Sequence, residues 1–79
     1  MTAAGEAKLS EIFRSVLQLL GDADVLRARQ LAVETWDSLA HVSLMLAIEG
    51  EFAVSIDVAD QLALTSFPAI RLYLEERGA

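Results

Sequence analysis

The chain has 79 residues, a net charge of −6, 54% hydrophobic residues and no cysteine, which fits one small domain over residues 1–79 whose stability comes from packing. The missing cysteines exclude disulfides and thiolate zinc sites, and no apolar run approaches the roughly 18 residues of a membrane span. The N-terminus lacks the basic and apolar regions of a signal peptide, so we expect a cytoplasmic protein in which residues 1–4 are frayed.

The negative charge lies in the middle of the chain. Residues 31–70 contain no lysine or arginine, whereas the acids and bases elsewhere cancel. Phosphate contacts need clusters of Lys and Arg, so nucleic acid is excluded as a partner and a basic protein surface is favoured. The alternative is that these acids only keep an apolar domain soluble. The acids of this segment are Glu34, Asp37, Glu49, Glu51, Asp57 and Asp60.

The first predicted element is an amphipathic helix. Apolar residues recur from Leu9 to Leu20 at the i, i+3, i+4, i+7, i+8 spacing of one helical face, and Gly21 is expected to end the helix in the left-handed conformation. A connection then runs from Asp22 to Trp36, which is long for a small domain, with a short helical turn expected within residues 25–30. Its apolar residues are expected to hold it on the bundle: Val25, Leu26, Leu31, Val33 and Trp36.

The segment ETWDSLAHVSLMLAIEGEF, residues 34–52, predicts a second helix from Asp37 or Ser38 to about Glu51, with the aspartate as N-cap. The helix carries two apolar stripes, of which a helix at the rim of a bundle can bury only one. The stripe expected in the core is Leu44, Met45, Ile48 and Phe52. The other, Leu39, Val42 and Leu46, is expected to be partly exposed beside the serine as a docking surface. The alternative is a helix buried nearly all round.

Two further helices complete the prediction. A short one runs from Asp57 to about Leu62, and the last is capped by Thr65 or Ser66, with Pro68 in its first turn. Its inward residues are Phe67, Ile70, Tyr73 and Leu74, and Gly78 ends it. The predicted fold is therefore all-α: an antiparallel four-helix bundle of three longer helices and one short helix, with a long loop between helices 1 and 2.

Catalysis and metal binding find little support in the residue types. His41 is the only imidazole and there is no cysteine, which excludes a histidine-based metal site. Ser38 and His41 are three residues apart, as a nucleophile and its base could be, but no orienting partner or oxyanion hole accompanies them. We therefore expect no enzyme activity and interpret His41 as a solvated helix residue.

Residues 36–52, WDSLAHVSLMLAIEGEF, resemble the signature of the acyl carrier protein family. The family pattern is D-S-L at the start of the second helix, then an apolar helix and an acidic ending. Asp37-Ser38-Leu39 matches the core motif, and Glu49, Glu51 and Phe52 match the ending. EFAVSIDVADQL resembles the family's third and fourth helices, so that the resemblance extends from Glu6 to Arg77.

The resemblance implies that Ser38 carries 4′-phosphopantetheine, which a separate phosphopantetheinyl transferase attaches from coenzyme A. The phosphate would lie at a helix N-terminus next to Asp37 and Leu39, where free amides favour negative charge. Such a monomeric carrier holds acyl or aminoacyl groups as thioesters. It presents them to a loading ligase or acyltransferase and to a ketosynthase or other acyl-transfer enzymes. The docking residues implied by position are Leu39, Val42, Leu46, Glu49, Glu51, Asp57 and Asp60.

The chain departs from the family pattern in one respect. Carriers of fatty acid synthesis usually have further acids in the middle of this helix, where this chain has Ala40, His41 and Ser43, and Gly50 interrupts the terminal acidic cluster. This difference favours a specialised fatty acid, polyketide or peptide pathway over the housekeeping one. The alternative function is a small acidic helical adaptor in which Ser38 is unmodified.

Overall fold

A computed structural model describes the backbone of residues 1–79 and every side chain except that of Asp22. The regular secondary structure of this described part is helical, which confirms the all-α class. The helices are α1 Ala3–Leu17, α2 Asp22–Leu26, α3 Ser38–Phe52, α4 Val58–Ala63 and α5 Phe67–Glu76. Within the same part of the chain, no helix has the length and apolar character needed to cross a membrane.

The N-terminus is more ordered than the sequence suggests. The hydroxyl of Thr2 accepts a hydrogen bond from the amide of Gly5 at 3.0 Å, which satisfies one of the free amides at the start of α1. The terminal ammonium group of Met1 lies 3.6 Å from the carboxylate of Glu75 in α5. The expected frayed segment 1–4 is therefore capped, and its last two residues belong to α1.

The end of α1 differs from the prediction. The helix stops at Leu17, and Gln18, with φ 58°, takes the left-handed conformation that was assigned to Gly21. The hydroxyl of Thr35 donates to the carbonyl oxygen of Leu17 at 2.5 Å, so the free carbonyl at this helix end finds its partner in a distant loop. Leu20 consequently lies outside the helix and is 96% exposed, while Gly21 is the extended N-cap of α2.

The connection between α1 and α3 is held to the bundle by side chains and main chain together. Val25 and Trp36 are buried as expected, but Leu26 is exposed and Leu31 is fully exposed. The amide of Phe67 donates to the carbonyl oxygen of Ala28 at 2.9 Å, and a second main-chain bond runs from Gln30 to the loop before α5. These main-chain bonds fix residues 28–30, which leaves the leucine that follows them free to face solvent. The short helix in this connection is α2, which lies earlier than the expected turn at 25–30.

The core is centred on Phe13 of α1. Its ring meets the rings of Trp36 and Phe67 edge to face, with centroid distances of 5.5 and 5.0 Å, a geometry that aromatic pairs favour. Around it lie the buried residues of α3 and α5, namely Leu44, Met45, Ile48, Ile70, Tyr73 and Leu74. The predicted inward face is thus confirmed for α5 and for Leu44, Met45 and Ile48 of α3, whereas Phe52 is only partly buried. The short α4 contributes no buried side chain.

Candidate functional site

Ser38 is the first residue of α3 and is exposed to solvent. Before it stands Asp37, whose carboxylate accepts a hydrogen bond from the amide of Ala40 at 2.8 Å. The main-chain carbonyl of the same aspartate accepts from the amide of His41 at 2.9 Å and begins the helical hydrogen-bond ladder. The serine hydroxyl therefore lies on a fixed first turn, at the positive end of the helix dipole, where an enzyme in solution can reach it.

Apart from Phe52, which is only partly buried, the two apolar stripes of α3 divide as the sequence predicts. Leu44, Met45 and Ile48 are buried, whereas the stripe beside the serine is exposed, with Leu39 at 77% exposure. The large apolar side chains exposed on α3 and α4, called here the exposed apolar face, are Leu39, Val42, Leu46, Val58 and Leu62. Sequence reasoning did not single out Val58 as a surface residue. The short α4 has apolar residues at i and i+4, and this spacing alone does not say whether they face the core or solvent.

The acids implied as docking residues differ in how free they are. The carboxylate of Glu49 accepts a hydrogen bond from the amide of Ile56 at 2.8 Å. This bond holds the segment that follows α3 against the end of that helix. Glu51 lies 3.4 Å from the ammonium group of Lys8 in α1. Of this set, Asp57 is exposed at the start of α4 and does not bond the helix amides with its side chain.

Asp60, the remaining acid of this set, has two partners in α5. Its Oδ2 accepts a hydrogen bond from the hydroxyl of Tyr73 at 3.2 Å and lies 3.7 Å from the guanidinium of Arg77. That guanidinium also covers the tyrosine ring, at 3.4 Å from its centroid. Burial raises the pKa of Tyr73, opposed by the arginine charge and assisted by the hydrogen bond to the aspartate. This cluster fixes the acid at the surface of α5.

His41 is not the solvated residue that the sequence suggests. The indole N–H of Trp36 donates to its Nδ1 at 3.0 Å, and its Nε2 lies 2.7 Å from the main-chain carbonyl oxygen of Gln61 in α4. Because Nδ1 accepts, the proton sits on Nε2, which donates to the carbonyl. Both ring nitrogens are therefore engaged, and neither is free to act as a base toward Ser38. The partner in α4 is 20 residues away, so no local pattern reveals it.

Three comparisons, with protein-family models, with curated proteins and with solved structures, found no match to this chain.

Proposed function

We propose that this chain is a carrier protein of the acyl carrier type, which holds acyl or aminoacyl intermediates as thioesters on a 4′-phosphopantetheine arm attached to Ser38. The observation that carries the proposal is the position of this serine. Its hydroxyl is exposed at the first residue of α3, within the D-S-L motif, behind a bonded N-cap and beside the exposed apolar face. A modified serine needs this combination of access and fixed geometry.

The attachment reaction needs only the serine hydroxyl from the chain itself. The Ser38 oxygen attacks the phosphorus of coenzyme A that bears the pantetheine arm, the bond to the nucleotide half breaks, and 3′,5′-adenosine bisphosphate leaves. The hydroxyl proton passes to the transferase. The new phosphodiester lies at the N-terminus of a 15-residue helix, which favours its negative charge. The arm supplies the thiol, so the absence of cysteine from the chain is compatible with this function.

The finer architecture belongs to the same proposal. In it α1, α3, α4 and α5 are the four helices of an antiparallel bundle, and residues 18–37, with α2 among them, are the long loop. The transferase, a loading ligase or acyltransferase, and a ketosynthase or similar enzyme dock on the exposed apolar face. The exposed carboxylate of Asp57 then meets basic groups of those partners. The cargo belongs to a specialised fatty acid, polyketide or peptide pathway.

A single mass measurement tests the attachment. The purified chain is incubated with coenzyme A, magnesium and a transferase of broad specificity, and intact mass is recorded. We expect one added arm in the wild type and in Ser43→Ala, a matched control that removes another exposed hydroxyl of α3. No addition is expected in Ser38→Ala. An unchanged wild-type mass, when a known carrier in the same tube is modified, would contradict the proposal.

An unchanged mass would favour the alternative, a small acidic helical adaptor with an unmodified Ser38. The exposed leucines of α3 and α4 support that function as well, because apolar side chains in solvent are typical of protein-binding surfaces. The two functions are distinguished by the serine alone: an adaptor binds its partner equally well after Ser38→Ala and without coenzyme A.

A further inference from the structure

The short helix α4 has polar contacts with the rest of the molecule and no buried side chain of its own. None of its six residues is buried, whereas the buried residues next in sequence, Ile56 and Leu64, flank it on either side. Apolar packing therefore fixes the two ends of this segment and leaves the helix between them to polar contacts. Elements with few buried apolar contacts open at low free energy, so these polar contacts help to hold α4 between its two buried ends.

One of these contacts comes from the helix that bears the serine. The carbonyl oxygen of Gln61 belongs to the last turn of α4, where it accepts a hydrogen bond from the amide of Leu64 at 3.3 Å and has a second lone pair for another donor. It receives the Nε2 hydrogen of His41, at 2.7 Å, one turn after Ser38. The contact between Asp60 and Tyr73 holds the same turn of α4 to α5. The histidine thus caps the C-terminal end of a neighbouring helix from within the first turns of α3.

The tautomer of this histidine is fixed by a third residue. Trp36 is buried against Phe13, and its Nε1–H, 3.0 Å from Nδ1, requires that nitrogen to be an acceptor. The two rings are also stacked, 26° from parallel. With Nδ1 occupied as an acceptor, Nε2 must carry the hydrogen that α4 needs. The chain Trp36–His41–Gln61 therefore runs from the aromatic core to the surface helix.

We propose that His41 is a positioning residue that holds α4 beside the first turn of α3. In this way Ser38, Leu39 and the exposed Val58 and Leu62 of α4 form one surface for the transferase. The role of this surface in transferase binding rests on the proposed function, whereas the hydrogen bond from His41 to α4 does not. Without the cap, α4 samples other positions and the surface is complete for only part of the time, which weakens transferase binding and leaves the chemistry at Ser38 unchanged.

The tautomer and the helix cap are tested by NMR without any partner. The ¹⁵N signals of the neutral imidazole of wild-type His41 should show the Nε2–H tautomer. His41→Phe keeps a ring beside Trp36 but donates nothing, so we expect the α4 amides to exchange hydrogen about fivefold faster, as for one lost hydrogen bond. Ser43→Ala, on the same helix, should exchange as the wild type does.

Transferase kinetics test the positioning. We expect His41→Phe to raise the KM for the carrier about fivefold at unchanged kcat, whereas Ser43→Ala changes neither. Trp36→Phe, which removes the donor to Nδ1 and keeps a ring, should lose the fixed tautomer and show a smaller rise. It serves as the deciding variant if His41→Phe does not fold.

Each contrary result refutes a different part of the proposal. The Nδ1–H tautomer in the wild type, or equal α4 exchange in the wild type and His41→Phe, overturns the cap. If the wild type accepts the arm and His41→Phe has the same KM for the carrier, the positioning role is refuted and the proposed function stands. A wild type that accepts no arm refutes the proposed function, while the tautomer and exchange measurements still decide the cap.

Discussion

The carboxylate of Asp37 accepts a hydrogen bond from the amide of Ala40 at 2.8 Å, so the residue before the candidate attachment serine holds the start of α3. The aspartate has the extended conformation of an N-cap, with ψ −175°. This is a local contact within the D-S-L motif. It gives the aspartate a structural role that is separable from any contact with a partner enzyme.

Removing this cap should destabilise the fold measurably. We expect Asp37→Ala to lower the free energy of unfolding by about 1 kcal/mol, the usual effect of losing an N-cap side chain. Asp37→Asn keeps a capping oxygen and should stay within a few tenths of a kcal/mol of the wild type, apart from its lost interaction with the helix dipole. Urea unfolding followed by circular dichroism measures both. An alanine variant as stable as the wild type would argue against the cap.

Gly50 is the residue of α3 that most clearly weakens it. It lies in an exposed turn of the helix, and a Cβ built there meets nothing within 4 Å. Gly50→Ala should therefore raise the free energy of unfolding by up to about 1 kcal/mol and the Tm by roughly 4 to 8 °C. Thermal unfolding measures the change. An unchanged Tm would mean that α3 gains nothing from helix propensity at this position.

Just after the same helix, replacing an alanine by glycine is expected to stabilise the fold. Ala53 ends α3 in the left-handed conformation, with φ 53°, which is unfavourable for residues other than glycine. We expect Ala53→Gly to raise the free energy of unfolding by about 0.5 kcal/mol, after the entropy that glycine adds to the unfolded chain is subtracted. The matched control is Ala7→Gly, at an exposed position of α1, which should lower it by about 1 kcal/mol. If both variants are destabilised alike, the left-handed end of α3 is not a source of strain.

Local sequence signals account for the parts of the fold that were predicted correctly. The start of α3 at Ser38 and the start of α5 behind Ser66 follow from a capping side chain and the helical residues next to it. The separation of buried Leu44 from exposed Leu39 follows from the 3.6-residue period and from the limited surface that a rim helix can bury. These features depend on neighbours within one or two turns.

The features that the sequence did not reveal depend on contacts between distant residues. The carbonyl oxygen of Leu17, the last residue of α1, is bonded by Thr35, 18 residues later, while Gly21 offered a plausible but incorrect stop. The role of His41 in turn depends on the main chain of Gln61. A main-chain acceptor leaves no trace in the residue types, because any amino acid at that position carries the same carbonyl.

Tyr73 gives the stability a dependence on alkaline pH. Burial raises its pKa above the ordinary value of 10.0, so the folded state retains the phenol proton to higher pH than the unfolded state does. The contribution is fully present below about pH 10 and is lost as the pH rises through the folded-state pKa. Urea unfolding between about pH 9 and 11 should therefore show a decline in stability that is shallower in Tyr73→Phe. Equal slopes would contradict the raised pKa.

Leu39 and Leu20 provide a matched test of the exposed apolar face. Both side chains are largely in solvent, at 77% and 96% exposure, so replacing either by alanine should change the Tm little. On the proposed function, Leu39 contacts the transferase next to Ser38, whereas Leu20, in the turn before α2, lies outside the exposed apolar face. We expect Leu39→Ala to lower kcat/KM for arm attachment by about tenfold, as the loss of an interface anchor does. Leu20→Ala should stay within about twofold of the wild type. Equal losses in the two variants would mean that general surface hydrophobicity, and not this face, governs recognition.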